Sequence, residues 1–248
     1  FKKIIYIFFS DLLKLYRNIN WQASGQKEFK EILNNRKVAN KFVQVASDLP
    51  IKVKNLKKFN FKKNKKKKGI LNIIFLSRIS PMKNMDFLLN VLIKVKRKVN
   101  LSIYGPLDDY RYWQKCKKLI KKLPTNIVVK YNGSISPKNI CIRISNHDIF
   151  VLPSKGESYG HAIVESLIAS TPVMISNKTP WKKNVSKGVV VLQLNNEDIW
   201  VKEIEKWSDY NNTDYIKRSF AAKKFSKLHL LNKKIVNQNK IFFLRFIN

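Results

Sequence analysis

Two carboxylates and two cations carry most of the chemistry this sequence offers. Glu157 and Glu165 stand eight positions apart in P-S-K-G-E-S-Y-G-H-A-I-V-E, residues 153–165. An apolar strand pattern ends just before this run, a loop holding Pro and Gly follows, and a helical pattern begins near Ser158. Ser158 has the chemistry of an N-cap, and the backbone N–H groups of its neighbours Tyr159, Gly160 and His161 would face an anion at the positive end of that helix. Glu157 then sits at the mouth of the helix and Glu165 about two turns along it. At that spacing two carboxylates can grip two separate sets of hydroxyls on one elongated ligand. The plainer reading makes Glu157 a favourable charge at a helix N-terminus and Glu165 an ordinary solvated helix residue. The cations are Arg78 and Lys83, in F-L-S-R-I-S-P-M-K-N-M-D-F-L-L, residues 75–89. Two positive charges beyond a strand end, beside a helix N-terminus, can neutralise a pyrophosphate.

The elements that must position these residues begin after Gly69. Apolar, β-branched runs occur at Leu71–Leu76, Leu101–Tyr104, Ile127–Val129, Asp148–Leu152, Pro172–Ile175 and Gly188–Leu192. Helical patterns lie between most of them, at Met85–Val95, Tyr110–Leu123, Pro137–Ile144 and Gly160–Ser170, while the gap Ser176–Lys187 has none. Continuous apolar strands alternating with helices predict an α/β domain, a Rossmann-like parallel sheet covered by helices on both faces. Ligands of such sheets bind beyond the strands' carboxyl ends, where Arg78, Lys83 and Glu157 fall. Upstream, the pattern predicts a helix over Ile4–Tyr16, a short strand over Asn20–Ala23 and a helix over Lys27–Leu33. Residues 50–69 are lysine-dense and end in four lysines and Gly69, the composition of a linker or exposed edge. From Glu197 to Asn248 the chain is helical in character.

Taken together the motifs resemble retaining family-four glycosyltransferases, also called group 1. Glu157 and Glu165 look like that family's E-x7-E motif, and residues 156–176 follow its loop, helix and next strand almost position by position. Where the family has a small residue and Gly before Thr-Pro-Val, this chain has Ala169-Ser170, and the Cβ of Ser170 is expected to strain a left-handed turn. Asn177-Lys178-Thr179-Pro180-Trp181 is similar to a subgroup's Thr-Pro-Trp loop. Residues 75–89 resemble the family's first strand and loop, and Tyr104-Gly105-Pro106 and Tyr131-Asn132-Gly133-Ser134 its next two strand ends. The resemblance implies the second half of a GT-B fold, residues 70–194, binding a nucleoside diphosphate sugar. It implies that Arg78 and Lys83 hold the diphosphate, that Glu157 contacts the transferred sugar and Glu165 the ribose hydroxyls. Ser158, Tyr159, Gly160, His161 and Gly105 would line the donor site. His161 has a competing reading, as a packed or capping histidine. No obligatory metal and no cofactor are implied, because the cations do that work. Residues 1–49 resemble a remnant of the first GT-B domain, with Trp21-Gln22-Ala23-Ser24 and Glu28 as its final strand and helix; 50–69 would be the linker and 195–248 C-terminal helices. On that implication the chain by itself binds a sugar nucleotide weakly and transfers nothing.

Composition narrows the partners. The net charge is +34, from 50 Lys and Arg against 16 Asp and Glu. Such a balance suits anionic partners: nucleic acid, phosphorylated substrates or an anionic membrane face. The lysines are spread over every segment of a sequence rich in Lys, Asn and Ile and poor in Gly, as an AT-biased genome would encode, and the aromatics fall mainly inside apolar patterns rather than among basic residues. A nucleic-acid-binding protein is therefore the weaker alternative to an enzyme, with an inert nucleotide-sugar-binding fragment as the third. Cys116 and Cys141 show no metal-ligand spacing, which fits a reducing compartment. Asp108-Asp109 reads as a solvated turn rather than a metal motif. The apolar stretch Ile4–Phe9 is too short to cross a bilayer. The expectation is a bacterial, cytoplasmic glycosyltransferase of polysaccharide biosynthesis, in peripheral contact with the membrane's inner face. Its donor would be a nucleotide-sugar and its acceptor a glycan or lipid-linked glycan.

Overall fold

Burial of the strands falls from the centre of the sheet to its edges, and their sequences follow that gradient. In the computed structural model, which describes residues 2–15, 19–36, 42–46, 65–181, 186–229 and 233–244, the main sheet has six parallel strands. They are β3 (Ile70–Leu76), β4 (Lys98–Tyr104), β5 (Ile127–Tyr131), β6 (Ile149–Leu152), β7 (Val173–Ser176) and β8 (Val189–Leu192), in the order β5-β4-β3-β6-β7-β8. The strands β6 and β7 are buried at every position, whereas β4 and β5 alternate and β8 is half-exposed beyond Val189. Strands covered on both faces have to be apolar throughout; strands nearer an edge need only one apolar face.

Two sets of helices cover this sheet. On one side α3 (Met85–Lys94) presents Leu88, Leu89, Val91 and Leu92 to the core and packs against α4 (Tyr110–Ile120) and α7 (Glu197–Asp209). Phe87 meets Trp200 edge-on at 5.5 Å, and Arg97 at the start of β4 grips Asp209 through two hydrogen bonds of 2.9 and 3.0 Å. On the other side α5 (Ile140–Ser145), α6 (His161–Ile168) and α8 (Asn212–His229) pack in turn. Gly188, at the entry to β8, lies so close to α8 that a Cβ there would stand 2.4 Å from the Ala222 nitrogen. The tryptophans Trp113, Trp200 and Trp207 are buried, so none of these rings lies on a basic surface.

The chain divides into two units, residues 50–231 around this sheet, and residues 1–49 with 232–248. The second unit holds α1 (Lys2–Leu12), a parallel pair of β1 (Trp21–Ala23) and β2 (Val43–Val45), α2 (Gln26–Arg36) and α9 (Lys233–Leu244). Glu28 in α2 accepts hydrogen bonds from the Ser24 backbone and hydroxyl, which fastens the helix start to the end of β1. Strand β2 has no clear signal in the sequence, being three residues of mixed polarity. Much of the expected lysine-rich linker lies outside the described residues, but its end is not solvated. Lys66 is buried at 4% exposure and its Nζ donates to the carbonyls of Lys67, Ile70 and Ser208. Three carbonyl acceptors satisfy all three ammonium protons, two of them on the chain entering β3 and one at the C-terminal end of α7.

Turn chemistry fixes how α6 leaves the sheet. Ser170 takes φ 57°, the Thr171 N–H bonds the Ser166 carbonyl and the Ser170 N–H bonds that of Leu167, a Schellman closure with a non-glycine residue at its left-handed position. The strain anticipated at Ser170 is therefore real. Ser170→Gly is expected to stabilise the fold by about 1 kcal/mol, relieving the left-handed penalty of an L-residue. Thermal melts should show a rise of roughly 2–4 °C; a fall would mean the Ser170 side chain contributes more than its backbone costs.

Candidate active site

The loops after β3 and β6 meet because those strands are neighbours, with Ile73 and Ile74 in register with Ile149 and Phe150. Beyond β3 the chain keeps contact with the end of β4: the Ile79 N–H donates to the Pro106 carbonyl and the Asp109 N–H to that of Ile79. Gly105 makes this approach possible. It adopts φ 135°, and a Cβ there would stand 1.8 Å from the Ser77 carbonyl oxygen. Its place is a tight backbone crossing at the ends of β3 and β4, with the Tyr131 hydroxyl donating to its carbonyl.

A 3-10 turn, Pro81–Lys83, follows, and Asn84 in the left-handed region opens α3. This turn is stitched to the loop after β6. The Lys155 N–H and the Ser154 hydroxyl both donate to the Met82 carbonyl, at 2.8 and 3.1 Å, and the Asn84 amide donates to Pro153 at 3.0 Å. Ser154 is fully buried and its carbonyl accepts from Ser176 at the end of β7. Three strand ends are thereby locked together, and Lys83 and Glu157 are brought face to face. The Lys83 Nζ stands 2.6 Å from Glu157 Oε1, the side chains only 16% and 9% exposed. Ser154 and Asn84 escape a reading of the sequence because Ser and Asn are common in loops; a small hydroxyl directly after the Pro that ends β6 was the available signal.

Arg78 lies in the same loop as Lys83 but turns outward to Asp108 at 3.2 Å, with side chains 64% and 42% exposed. An exposed pair of this kind contributes little stability, so Arg78 can leave Asp108 for a ligand at small cost. Asp108-Asp109 is more than a solvated turn: Asp109 accepts from the Tyr112 N–H and caps α4.

The start of α6 differs from expectation. Its N-cap is Gly160, at φ 82° and ψ 59°, and Ser158 is exposed with no capping bond among the described residues. The left-handed Gly160 cannot sit inside a right-handed helix, so α6 begins after it, and Trp181 Nε1 donates to the Tyr159 carbonyl just upstream at 2.7 Å. The Gly160 carbonyl instead receives the first helical N–H groups, from Ile163 and Val164. Tyr159 is buried between His161 and Trp181, with ring centroids 5.0 and 5.8 Å away. His161 itself is exposed at the first helical position, so it is not a packed core histidine.

The late start leaves Glu165 one turn into α6 rather than two. It is buried at 6% exposure, not solvated, and its carboxylate makes no hydrogen bond or ion pair among the described residues. Burial pushes its carboxyl up to about 7 from 4.5. A buried acceptor without a donor is costly to the fold and suited to a ligand that brings hydroxyls. The structure thus joins Lys83 to Glu157 directly, turns Arg78 of the same loop outward to Asp108, and holds Glu165 withdrawn in the helix that follows.

Residues 56–224 match the family model described as Glycosyl transferases group 1. An uncharacterized 41.2 kDa protein in the cps region of Klebsiella pneumoniae is 27% identical over 206 residues, 81% of this chain and 54% of that protein. Alpha-monoglucosyldiacylglycerol synthase of Streptococcus pneumoniae (strain ATCC BAA-255 / R6) is 30% identical over 137 residues, 52% of this chain and 30% of the synthase. The chain therefore spans about half or less of the curated relatives it matches. Among solved structures, a glycosyltransferase from Rickettsia africae ESF-5 superposes with a TM-score of 0.73 at 17% identity, covering 95% of this chain and 66% of that one. A mutant of S. aureus TarM in complex with Fondaparinux, alpha-GlcNAc-glycerol and UDP gives 0.72 at 19%, covering 90% and 43%. Anabaena Alr3699/HepE in complex with UDP and glucose gives 0.70 at 14%, covering 95% and 65%. The fold is the Rossmann-like half of a GT-B glycosyltransferase.

Glu165 generates a test that needs no ligand. Its raised pKa means the folded chain binds this proton more tightly than the unfolded chain, so stability falls as pH rises from about 4.5 to about 7. Glu165→Gln is expected to be more stable than wild type by up to about 3 kcal/mol at pH 8, with most of that gain gone by pH 5. Denaturant melts at the two pH values measure it. A difference independent of pH would mean the carboxyl is not desolvated.

Proposed function

Since the chain belongs to the glycosyl transferases group 1 family, we propose that it binds a nucleoside diphosphate sugar at the ends of β3 and β6 and serves transfer of the sugar, with retained anomeric configuration, to a glycan or lipid-linked acceptor. The observation that carries this reading is the meeting of Lys83 and Glu157, a cation and a carboxylate from segments 74 positions apart. In the proposed complex Lys83 and Arg78 hold the diphosphate. When the bond between anomeric carbon and phosphate oxygen breaks, the electron pair goes to the diphosphate and these cations stabilise it. The metal-free arrangement proposed here relies on them for that charge. Glu157 accepts hydrogen bonds from the sugar, and Glu165 from the ribose hydroxyls. The positive N-terminal end of α6, with Ser158, Tyr159, Gly160 and His161 around it, faces the negative ligand.

Surface polysaccharide synthesis in a bacterial cytoplasm, at the inner membrane face, is the proposed setting. A relative in a cps region and another named as a glucosyldiacylglycerol synthase support glycan or lipid acceptors, and two structural neighbours were solved with UDP. No helix among the described residues is long and apolar enough to cross a membrane.

Calorimetric titration of UDP and GDP into wild type and Lys83→Ala tests the reading. Loss of one charge-assisted contact should weaken binding by about 1.5–3 kcal/mol. Equal affinities would mean that Lys83 does not contact the diphosphate.

A further inference from the structure

We propose that the Lys83–Glu157 ion pair is a built-in competitor for the diphosphate, which makes the site favour an intact sugar donor over the spent nucleoside diphosphate. This rests on the donor-site reading above. The pair is short, 2.6 Å, and both side chains are largely withdrawn from water. Among the described residues the Lys83 ammonium and the Glu157 carboxylate have no other hydrogen bond or ion pair. Each therefore depends on the other while the site is empty.

The backbones on either side are tied together by hydrogen bonds, which oppose their moving apart to relieve the competition. Lys155 and Ser154 both bond the Met82 carbonyl, Asn84 bonds Pro153, and Ser154 is tied to Ser176. Asn84 is buried as well, at 5% exposure. Ligand entry is left to side-chain rotation at a fixed separation of the two loops.

A diphosphate that takes Lys83 removes the one cation paired with Glu157 and sets phosphate charge beside a shielded carboxylate. Like charges in such a site repel strongly, and a charged acceptor left without a donor carries its full desolvation penalty. A sugar still attached to the diphosphate removes the second problem, because its hydroxyls donate to Glu157 where Lys83 did. The spent nucleoside diphosphate has no such hydroxyls at that position. Lys83 and Glu157 then re-pair as the product leaves, and the same two residues that hold the donor hasten loss of the product. Release of product limits turnover in many enzymes, which gives this preference a kinetic use.

The experiment is a double-mutant cycle read by calorimetry, with wild type, Glu157→Gln, Lys83→Gln and the double variant. The probes are UDP, GDP and inorganic pyrophosphate, set against UDP-glucose and GDP-mannose. In Glu157→Gln the free diphosphates should bind roughly tenfold tighter, about 1.4 kcal/mol. The sugar nucleotides should gain nothing or weaken, so the preference for donor over spent diphosphate narrows by that factor. In the Lys83→Gln background, the substitution at 157 should tighten diphosphate binding markedly less, since no ammonium is left for Glu157 to compete for. Unchanged or weaker diphosphate binding in Glu157→Gln overturns the proposal. So does equal tightening with and without Lys83, which would show only the general effect of deleting a negative charge. If none of the probes binds wild type or any variant, the donor-site reading itself fails and takes this inference with it.

Discussion

Everything the site can do depends on β3 lying beside β6. The chain runs outward from β3 through β4 to β5, then returns to the middle and runs outward the other way through β7 to β8. The loops that leave β3 and β6 therefore cannot follow their chains to the same side, and a crevice opens between them at the carboxyl ends. Main-chain and side-chain hydrogen bonds at Met82 and Pro153 close that crevice to a fixed width. Lys83 and Glu157 meet across it because these bonds hold their two loops together.

The fold makes room for this at several strained or crowded positions. Gly105 is set where any side chain would strike the Ser77 carbonyl, and Asn84 and Gly160 take left-handed backbone at the starts of α3 and α6. Glu165 is a buried carboxyl without a donor among the described residues, in a helix segment, Ile163 to Ile168, that is buried throughout and, Ser166 aside, otherwise apolar. Each of these features lowers stability or restricts sequence. The amino end of the sheet has its own crowded positions, Ser170 and Gly188, but also satisfied polar groups such as Asp148, which accepts from the Asn72 backbone and amide.

The sheet was legible because its strands are long apolar runs, and each of the six lies where the hydrophobic pattern puts it, within a few residues at either end. The places of Arg78, Lys83 and Glu157 in the loops after β3 and β6 were legible too, since strand ends can be read from the same pattern. What escaped was decided by local backbone geometry and burial. Gly160 takes left-handed backbone, so α6 starts after it rather than near Ser158, and the shift puts Glu165 one turn in. Burial of Glu165 could not be read from composition, since Glu on a helix is ordinarily solvated. Lys66 misled for a similar reason. In a run of lysines it looks like one more solvated charge, yet three carbonyls of its own unit enclose it.

The central claim is that the β3–β6 crevice is a donor site, and a crystal structure of this chain with a bound uridine or guanosine diphosphate sugar tests it most directly. The account predicts the diphosphate oxygens between Arg78 and Lys83, the Lys83–Glu157 contact exchanged for a hydrogen bond from the sugar to Glu157, and a ribose hydroxyl against Glu165. Nucleotide bound elsewhere, with Lys83 and Glu157 still paired in the same crystal, would contradict it.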